Sequence, residues 1–124
     1  MTTLRGNWNY PTNIKFGAGR IVELPEHCRS LGMKRPLLVT DAGLAALPMV
    51  ANAARLCRDA GLGCEVFSDV QPNPVEANVT AGVAAFRAGD HDGVIGTATL
   101  KPNAMRRRSS LDASKSTRFR ILRE

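Results

Sequence analysis

Several features that would assign this sequence to a class at once are missing from it. No apolar run reaches the roughly 18 residues of a membrane span, and the N-terminus lacks the apolar stretch of a signal peptide. We therefore expect a cytoplasmic protein with no membrane partner. The only cysteines are Cys28, Cys57 and Cys64, and no two form a Cys-x-x-Cys pair. Their odd number and spacing argue against a disulfide framework or a zinc site, and predict three buried or half-buried reduced thiols.

The first 96 residues have no excess of charge. Through Gly96 nine basic side chains balance nine acidic ones, so the whole net charge of +6 lies beyond it. This change of composition predicts a boundary, with one domain over residues 1–96 and a basic tail over 97–124. We expect the tail to be irregular or partly helical, with Leu111, Lys115 and Arg118 along one short helix.

Within residues 1–96 the apolar pattern alternates between strand and helix. Runs of alternating or continuous apolar residues predict strands over 13–16, 36–40, 64–67 and 93–96. Helical spacing predicts helices over 21–31, 48–60 and 75–88, the last with Val79, Val83 and Phe86 as its main apolar contacts. Short connections between such elements imply an α/β, Rossmann-like fold, with a mostly parallel sheet and helices on both faces.

Polar side chains follow two of these strands. In parallel sheets ligands bind at the carboxyl ends of the strands, which places Asp41, the segment 69–74 and the loop after Gly96 at one edge. A carboxylate such as Asp41 can accept two hydrogen bonds from the ribose of an adenosine, and it disfavours a 2′-phosphate. Capping of the following turn or helix is the alternative role for Asp41. Asn73, held between two prolines, can bond a ligand amide or adenine, or can simply form a turn.

Four segments in order carry a resemblance to a known family. They are Asn13–Gly19, Leu37–Asp41, Val70–Pro74 and Asp92–Gly96. Together they resemble the N-terminal domain of iron-containing (group III) alcohol dehydrogenases, over most of residues 8–96. Glycerol dehydrogenase and dehydroquinate synthase share the wider fold.

The resemblance implies an NAD site. It assigns Asp41 and Asn73 to the adenosine end of the cofactor. The family's Gly-Gly-Gly-Ser-x-x-Asp-x-x-Lys motif, which binds the pyrophosphate, is matched by Ser109, Asp112 and Lys115. Arginines 106–108 stand where that motif has glycines, and the alternative for this segment is a solvated basic tail.

The resemblance also implies a reaction and a metal. Family members transfer a hydride between a small alcohol or aldehyde and nicotinamide, and homodimers occur among them. Iron or another divalent metal is held there by one aspartate and three histidines of a helical C-terminal domain. This sequence has only His27 and His91, so no catalytic or metal-binding residue is assigned. The expectation is an N-terminal fragment that is inactive alone.

Two alternative functions remain open from the sequence. In one, the first 96 residues bind an adenine nucleotide without catalysis while the basic tail binds a polyanion in a salt-sensitive way. Phe119 is the only aromatic residue of that tail, which argues against nucleic-acid base readout. In the other, the chain has no selected function, and exposed strand edges make it poorly soluble.

Overall fold

The computed structural model describes Lys15, residues 17–99 and the strand at 117–122. A 3-10 helix at Arg20–Glu23 leads into the first α-helix. The helices are α1 (Leu24–Ser30), α2 (Ala42–Ala45), α3 (Pro48–Asp59) and α4 (Glu76–Ala88), and the strands are β1 (Pro36–Asp41), β2 (Glu65–Val70), β3 (Gly93–Thr99) and β4 (Thr117–Leu122). None of the helices in these described ranges combines the length and the apolar character needed to cross a membrane.

The strands form one sheet in the order β2-β1-β3-β4. β1 lies in the middle and pairs in parallel with both β2 and β3, with Leu38 opposite Val66 and Ile95. β4 runs antiparallel to β3, from Thr99 opposite Thr117 to Val94 opposite Leu122. This arrangement confirms the predicted Rossmann-like α/β fold with a mostly parallel sheet.

One face of the sheet is covered by α1 and α3. Pro25 lies in the first turn of α1 and Pro48 in that of α3, where a missing backbone N–H costs nothing. The side chains that form this core share almost complete burial: Leu24, Cys28, Met33, Leu38, Leu44, Val50, Ala53, Ala54, Cys57, Leu62, Cys64 and Ile95. The apolar side chains of α3 and of β1 therefore pack together in one core layer, as the sequence predicts.

The three cysteines lie in this core as free thiols, which confirms the prediction of reduced, buried sulfur. The Cys57 thiol makes hydrogen bonds with the thiols of both Cys28 and Cys64. Its bond with Cys28 and its burial raise the pKa of Cys57 to about 11. The bond with Cys57 and burial raise the pKa of Cys64 as well, whereas the hydrogen bond with Cys57 lowers the pKa of Cys28.

Among the described elements, α4 covers the other face and packs mainly on β2. Gly82, at the middle of α4, faces the ring of Phe67. The prediction that Val79 and Val83 are main apolar contacts is wrong, because these side chains are 62% and 42% exposed. An open cleft of about 510 Å³ lies between part of α4 and the sheet, lined in part by Leu37, Phe67 and Val94.

Two further predictions concern the strand expected over residues 13–16 and the tail after residue 96. The strand expected over 13–16 falls almost wholly outside the described residues, and Lys15 is not in a strand. Residues 117–122 form β4, where an irregular or partly helical tail was expected, so Arg118 lies in a strand rather than on a helical stripe. Its sequence alternates Thr117, Phe119 and Ile121 with arginines, which is the period of a strand. β3 continues to Thr99, beyond the predicted boundary near residue 97, which stays a prediction.

Candidate functional site

The carboxyl ends of β1, β2 and β3 border a cleft of about 420 Å³. Its lining residues come from three separate parts of the chain: Val39, Thr40, Asp41, Val70, Gln71, Pro72, Pro74, Gly96 and Thr97. The structure thus brings together the two strand ends and the turn that the sequence placed at one edge. Parallel sheets bind ligands at this position, in the crevice beyond the strand ends.

Asp41 ends β1 and stands at the N-cap of α2. Its Oδ1 accepts a hydrogen bond from the Leu44 backbone N–H at 2.7 Å. Within the described chain the carboxylate has no other hydrogen bond, so Oδ2 remains available to a ligand. The capping role and the ligand role predicted as alternatives are therefore compatible, since they use different oxygens.

Gly43, the second residue of α2, leaves room for this carboxylate. A Cβ at Gly43 would stand 3.2 Å from Asp41 Oδ1, closer than most such contacts. The hydrogen bond from the Leu44 backbone N–H fixes the orientation of the carboxylate. A preorganised acceptor of this kind loses little conformational entropy when a ligand binds.

Asn73 lies in the turn that borders the cleft. Pro72 and Pro74 both line the cleft, but Asn73 is not among the lining residues and its side chain is exposed. Its role as a cofactor contact stays a prediction. Ser109, Asp112 and Lys115, predicted to bind the pyrophosphate, lie outside the described residues.

The side chain of Asn78 stabilises this turn, although the sequence alone did not point to it. Its Oδ1 accepts from the Val75 backbone N–H at 3.0 Å, and its Nδ2 donates to the Asp69 carbonyl at 3.1 Å. The side chain therefore ties the start of α4 to the end of β2. Its position three residues after Val75, in the first turn of a predicted helix, is the signal that could have found it.

Two hydroxyls stand on the β1 and β3 side of the cleft. The Thr97 hydroxyl donates to the Val39 carbonyl at 3.3 Å. The Thr40 side chain is almost fully buried, and its hydroxyl oxygen has no hydrogen-bond partner in the described part of the chain. Sequence reasoning passed over Thr40 because it lies inside an otherwise apolar strand.

The described residues do not fit the metal that the resemblance implies. Residues 15, 17–99 and 117–122 include no group of three or more His, Cys, Asp or Glu side chains placed to hold a metal ion. His91 has a structural role at the opposite edge of the sheet. Its Nδ1 lies 2.9 Å from the Arg35 carbonyl and its Nε2 lies 3.2 Å from Glu65 Oε2.

A small charged cluster surrounds the 3-10 helix. Arg20 Nε donates to Glu23 Oε1 at 2.8 Å, and Lys15 and His27 also lie within 4 Å of this carboxylate. The Arg20 hydrogen bond lowers the pKa of Glu23 to about 2. The cluster is half-buried, and none of its residues lines the cleft.

Known proteins match the part of the chain that builds this site. A family model for iron-containing alcohol dehydrogenases matches residues 11–97. The chain is 39% identical over 82 residues to the 1,3-propanediol dehydrogenase of Klebsiella pneumoniae, covering 64% of this chain and 21% of that protein.

Solved structures agree with this relationship. A 1,3-propanediol oxidoreductase matches with a TM-score of 0.60 and 38% identity, over 63% of this chain and 20% of that one. An alcohol dehydrogenase from Oenococcus oeni matches with a TM-score of 0.61 and 32% identity, over 66% and 22%. The chain spans about a fifth of the length of the curated relatives it matches. Because the family model covers well over half of the chain, the chain belongs to the iron-containing alcohol dehydrogenase family.

Proposed function

We propose that this chain is the N-terminal, nucleotide-binding part of an NAD-dependent alcohol dehydrogenase, and that alone it binds the adenosine end of NAD without oxidising alcohols. The observation that carries the proposal is the carboxylate of Asp41. It is held at the carboxyl end of the central strand, beside a cleft, with one oxygen available. Relatives described as NAD-dependent support the choice of cofactor.

The chemistry of Asp41 favours a ribose as its partner. An ionised carboxylate only accepts hydrogen bonds, and ribose hydroxyls can donate them. The bond from Leu44 fixes the carboxylate, so its second oxygen meets the ligand without reorganisation. A 2′-phosphate would bring a second negative charge to the same place, so NAD is favoured over NADP.

Catalysis needs groups beyond the described residues. In the family the metal supplies Lewis-acid chemistry at the alcohol oxygen. The sequence has two histidines, His27 and His91, and cannot provide the set of three that the resemblance implies. The contribution of this chain is to hold the cofactor's adenosine, while the alcohol substrate and the metal belong to the remainder of a family-length protein.

The test compares two variants at Asp41 by isothermal titration of the 124-residue chain with NAD and NADP. Asp41→Asn keeps an oxygen that can cap α2 but loses the charge, whereas Asp41→Ala loses both. We expect NAD to bind the unaltered chain more tightly than NADP, Asp41→Asn to bind NAD roughly tenfold more weakly, and the preference over NADP to shrink. Equal affinities for NAD across all three proteins would refute the ribose contact.

The absence of activity is tested separately. The purified chain, loaded with Fe²⁺ or Zn²⁺ and given NAD with ethanol or 1,3-propanediol, should form no NADH by absorbance at 340 nm. The matched control is a full-length relative under the same conditions. Turnover by the 124-residue chain that a chelator abolishes would contradict the proposal.

A further inference from the structure

We propose that the Thr40 hydroxyl donates a hydrogen bond to a phosphate oxygen of the nucleotide that occupies the carboxyl-edge cleft. This inference rests on the proposed nucleotide-binding function and assigns a second contact within the same site. Thr40 lines the cleft and is 2% exposed. Its hydroxyl oxygen has no partner among the residues that the structure describes.

An unpaired buried hydroxyl is unusual. The large majority of buried side-chain polar atoms in native structures have a hydrogen-bond partner, and each exception calls for an explanation. Leaving such a group unsatisfied costs free energy, so a bound group that supplies the missing bond gains affinity from it. The neighbouring polar groups do not supply it, because Thr97 bonds Val39 and Asp41 bonds Leu44.

The position of Thr40 fits a ligand contact. β1 and β3 are neighbours, with Val39 opposite Gly96, so Thr40 follows directly after this pair at the strand ends. The chain leaves the carboxyl end of β1 towards α3, which packs in the core on one face, and leaves the carboxyl end of β2 towards α4, on the other face. Thr40 therefore lies where the connections diverge to opposite faces, which is the position at which open α/β sheets bind their ligands.

The two adjacent side chains, Thr40 and Asp41, suit different parts of the nucleotide. Asp41 can only accept hydrogen bonds, which suits ribose hydroxyls. Thr40 has an O–H donor with no acceptor among the residues that the structure describes, and phosphate oxygens accept hydrogen bonds but do not donate them when ionised. A nucleotide placed with its ribose at Asp41 thus finds a donor for its phosphate on Thr40, the preceding residue of the strand.

The experiment separates the phosphate from the nucleoside. Adenosine, AMP and ADP are titrated calorimetrically into the 124-residue chain and its Thr40→Val and Thr40→Ser variants. We expect Thr40→Val to weaken ADP roughly tenfold while leaving adenosine within about twofold. Thr40→Ser keeps the hydroxyl and should bind all three ligands as the unaltered chain does.

A stability measurement separates ligand binding from a structural role. Because the hydroxyl has no partner in the described part of the chain, Thr40→Val should unfold at the same or a higher temperature than the unaltered chain. If Thr40→Val lowers adenosine and ADP affinity equally, or leaves both unchanged while Asp41→Asn weakens them, the phosphate contact is refuted and the proposed function stands. If none of the three ligands binds the unaltered chain, both proposals fail.

Discussion

Replacing Gly93 with alanine tests how tightly β3 packs against Met33, which lies in the loop after α1. A Cβ built at Gly93 would lie 2.4 Å from Met33 Cε, 2.7 Å from Sδ and 2.9 Å from Cγ. Carbon atoms in contact sit at roughly 3.5–4.0 Å, so Met33 would have to retreat by about 1 Å or more. Met33 is 2% exposed and packed in the core, so it has little room to move. We expect Gly93→Ala to lower the free energy of unfolding by about 1–3 kcal/mol.

Urea unfolding followed by circular dichroism measures this change against a matched substitution. Gly82→Ala adds the same methyl group in α4, where its Cβ would lie 3.5 Å from the Phe67 ring, an ordinary contact. Alanine is the better helix former, so Gly82→Ala should raise the free energy of unfolding by about 0.5–1 kcal/mol. The two variants are expected to move the midpoint in opposite directions.

A double-mutant cycle assigns the cost to the named contact. Met33→Ala is destabilising by itself, by about 2–5 kcal/mol, because it leaves a cavity. In that background Gly93→Ala should cost almost nothing, since the atoms it meets are gone. A neutral Gly93→Ala in the unaltered chain, or an undiminished cost in the Met33→Ala background, would refute the reasoning.

Two further predictions concern ionisable groups. The hydrogen bond from Arg20 lowers the folded-state pKa of Glu23 to about 2, below the roughly 4.3 of an unfolded chain, so this carboxylate stabilises the fold at neutral pH. That contribution fades as pH falls from about 4 towards 2, so Glu23→Gln should lower the urea midpoint at pH 7 and not at pH 2; an equal loss at both would contradict the assignment. Cys28, Cys57 and Cys64 are buried, with the pKa of Cys57 raised to about 11, so a chromogenic disulfide reagent at pH 7 should label no thiol before unfolding and all three after. Immediate labelling of the native chain would show that the cluster opens.

The parts of the fold that sequence reasoning predicted are those in which one local pattern decides the outcome. The apolar run at Pro36–Thr40 reads as a buried strand, and it is β1. Proline at the start and glycine after the end delimit α3, which spans Pro48–Asp59. Asp41 could be placed at the edge because any residue that ends a parallel strand lies there.

The features that sequence reasoning missed depend on neighbours distant in the chain. The apolar spacing of α4 predicts burial of Val79 and Val83, but burial requires a partner surface, and these side chains border an open cleft. In the sequence, Thr40 resembles any polar residue tolerated in a strand. The structure shows that its hydroxyl has no hydrogen-bond partner among the described residues. The sequence of β4 alternates with the period of a strand, but the strong positive charge of the tail led to the prediction of an irregular segment.

The central position of β1 has a consequence for how the chain folds. β1 is the first described strand along the chain, yet Leu37 pairs with Glu65 and Pro36 pairs with Gly93. Each pairing requires a long loop to close before any stabilising contact between the strands forms, and such non-local parallel contacts slow folding. During synthesis β1 has no β3 to join until Gly93 and the residues after it have left the ribosome. We therefore expect a nascent chain whose residues 93–99 have not emerged from the ribosome to expose one edge of β1 and to be captured by chaperones, whereas one whose residues 93–99 have emerged can complete the parallel sheet.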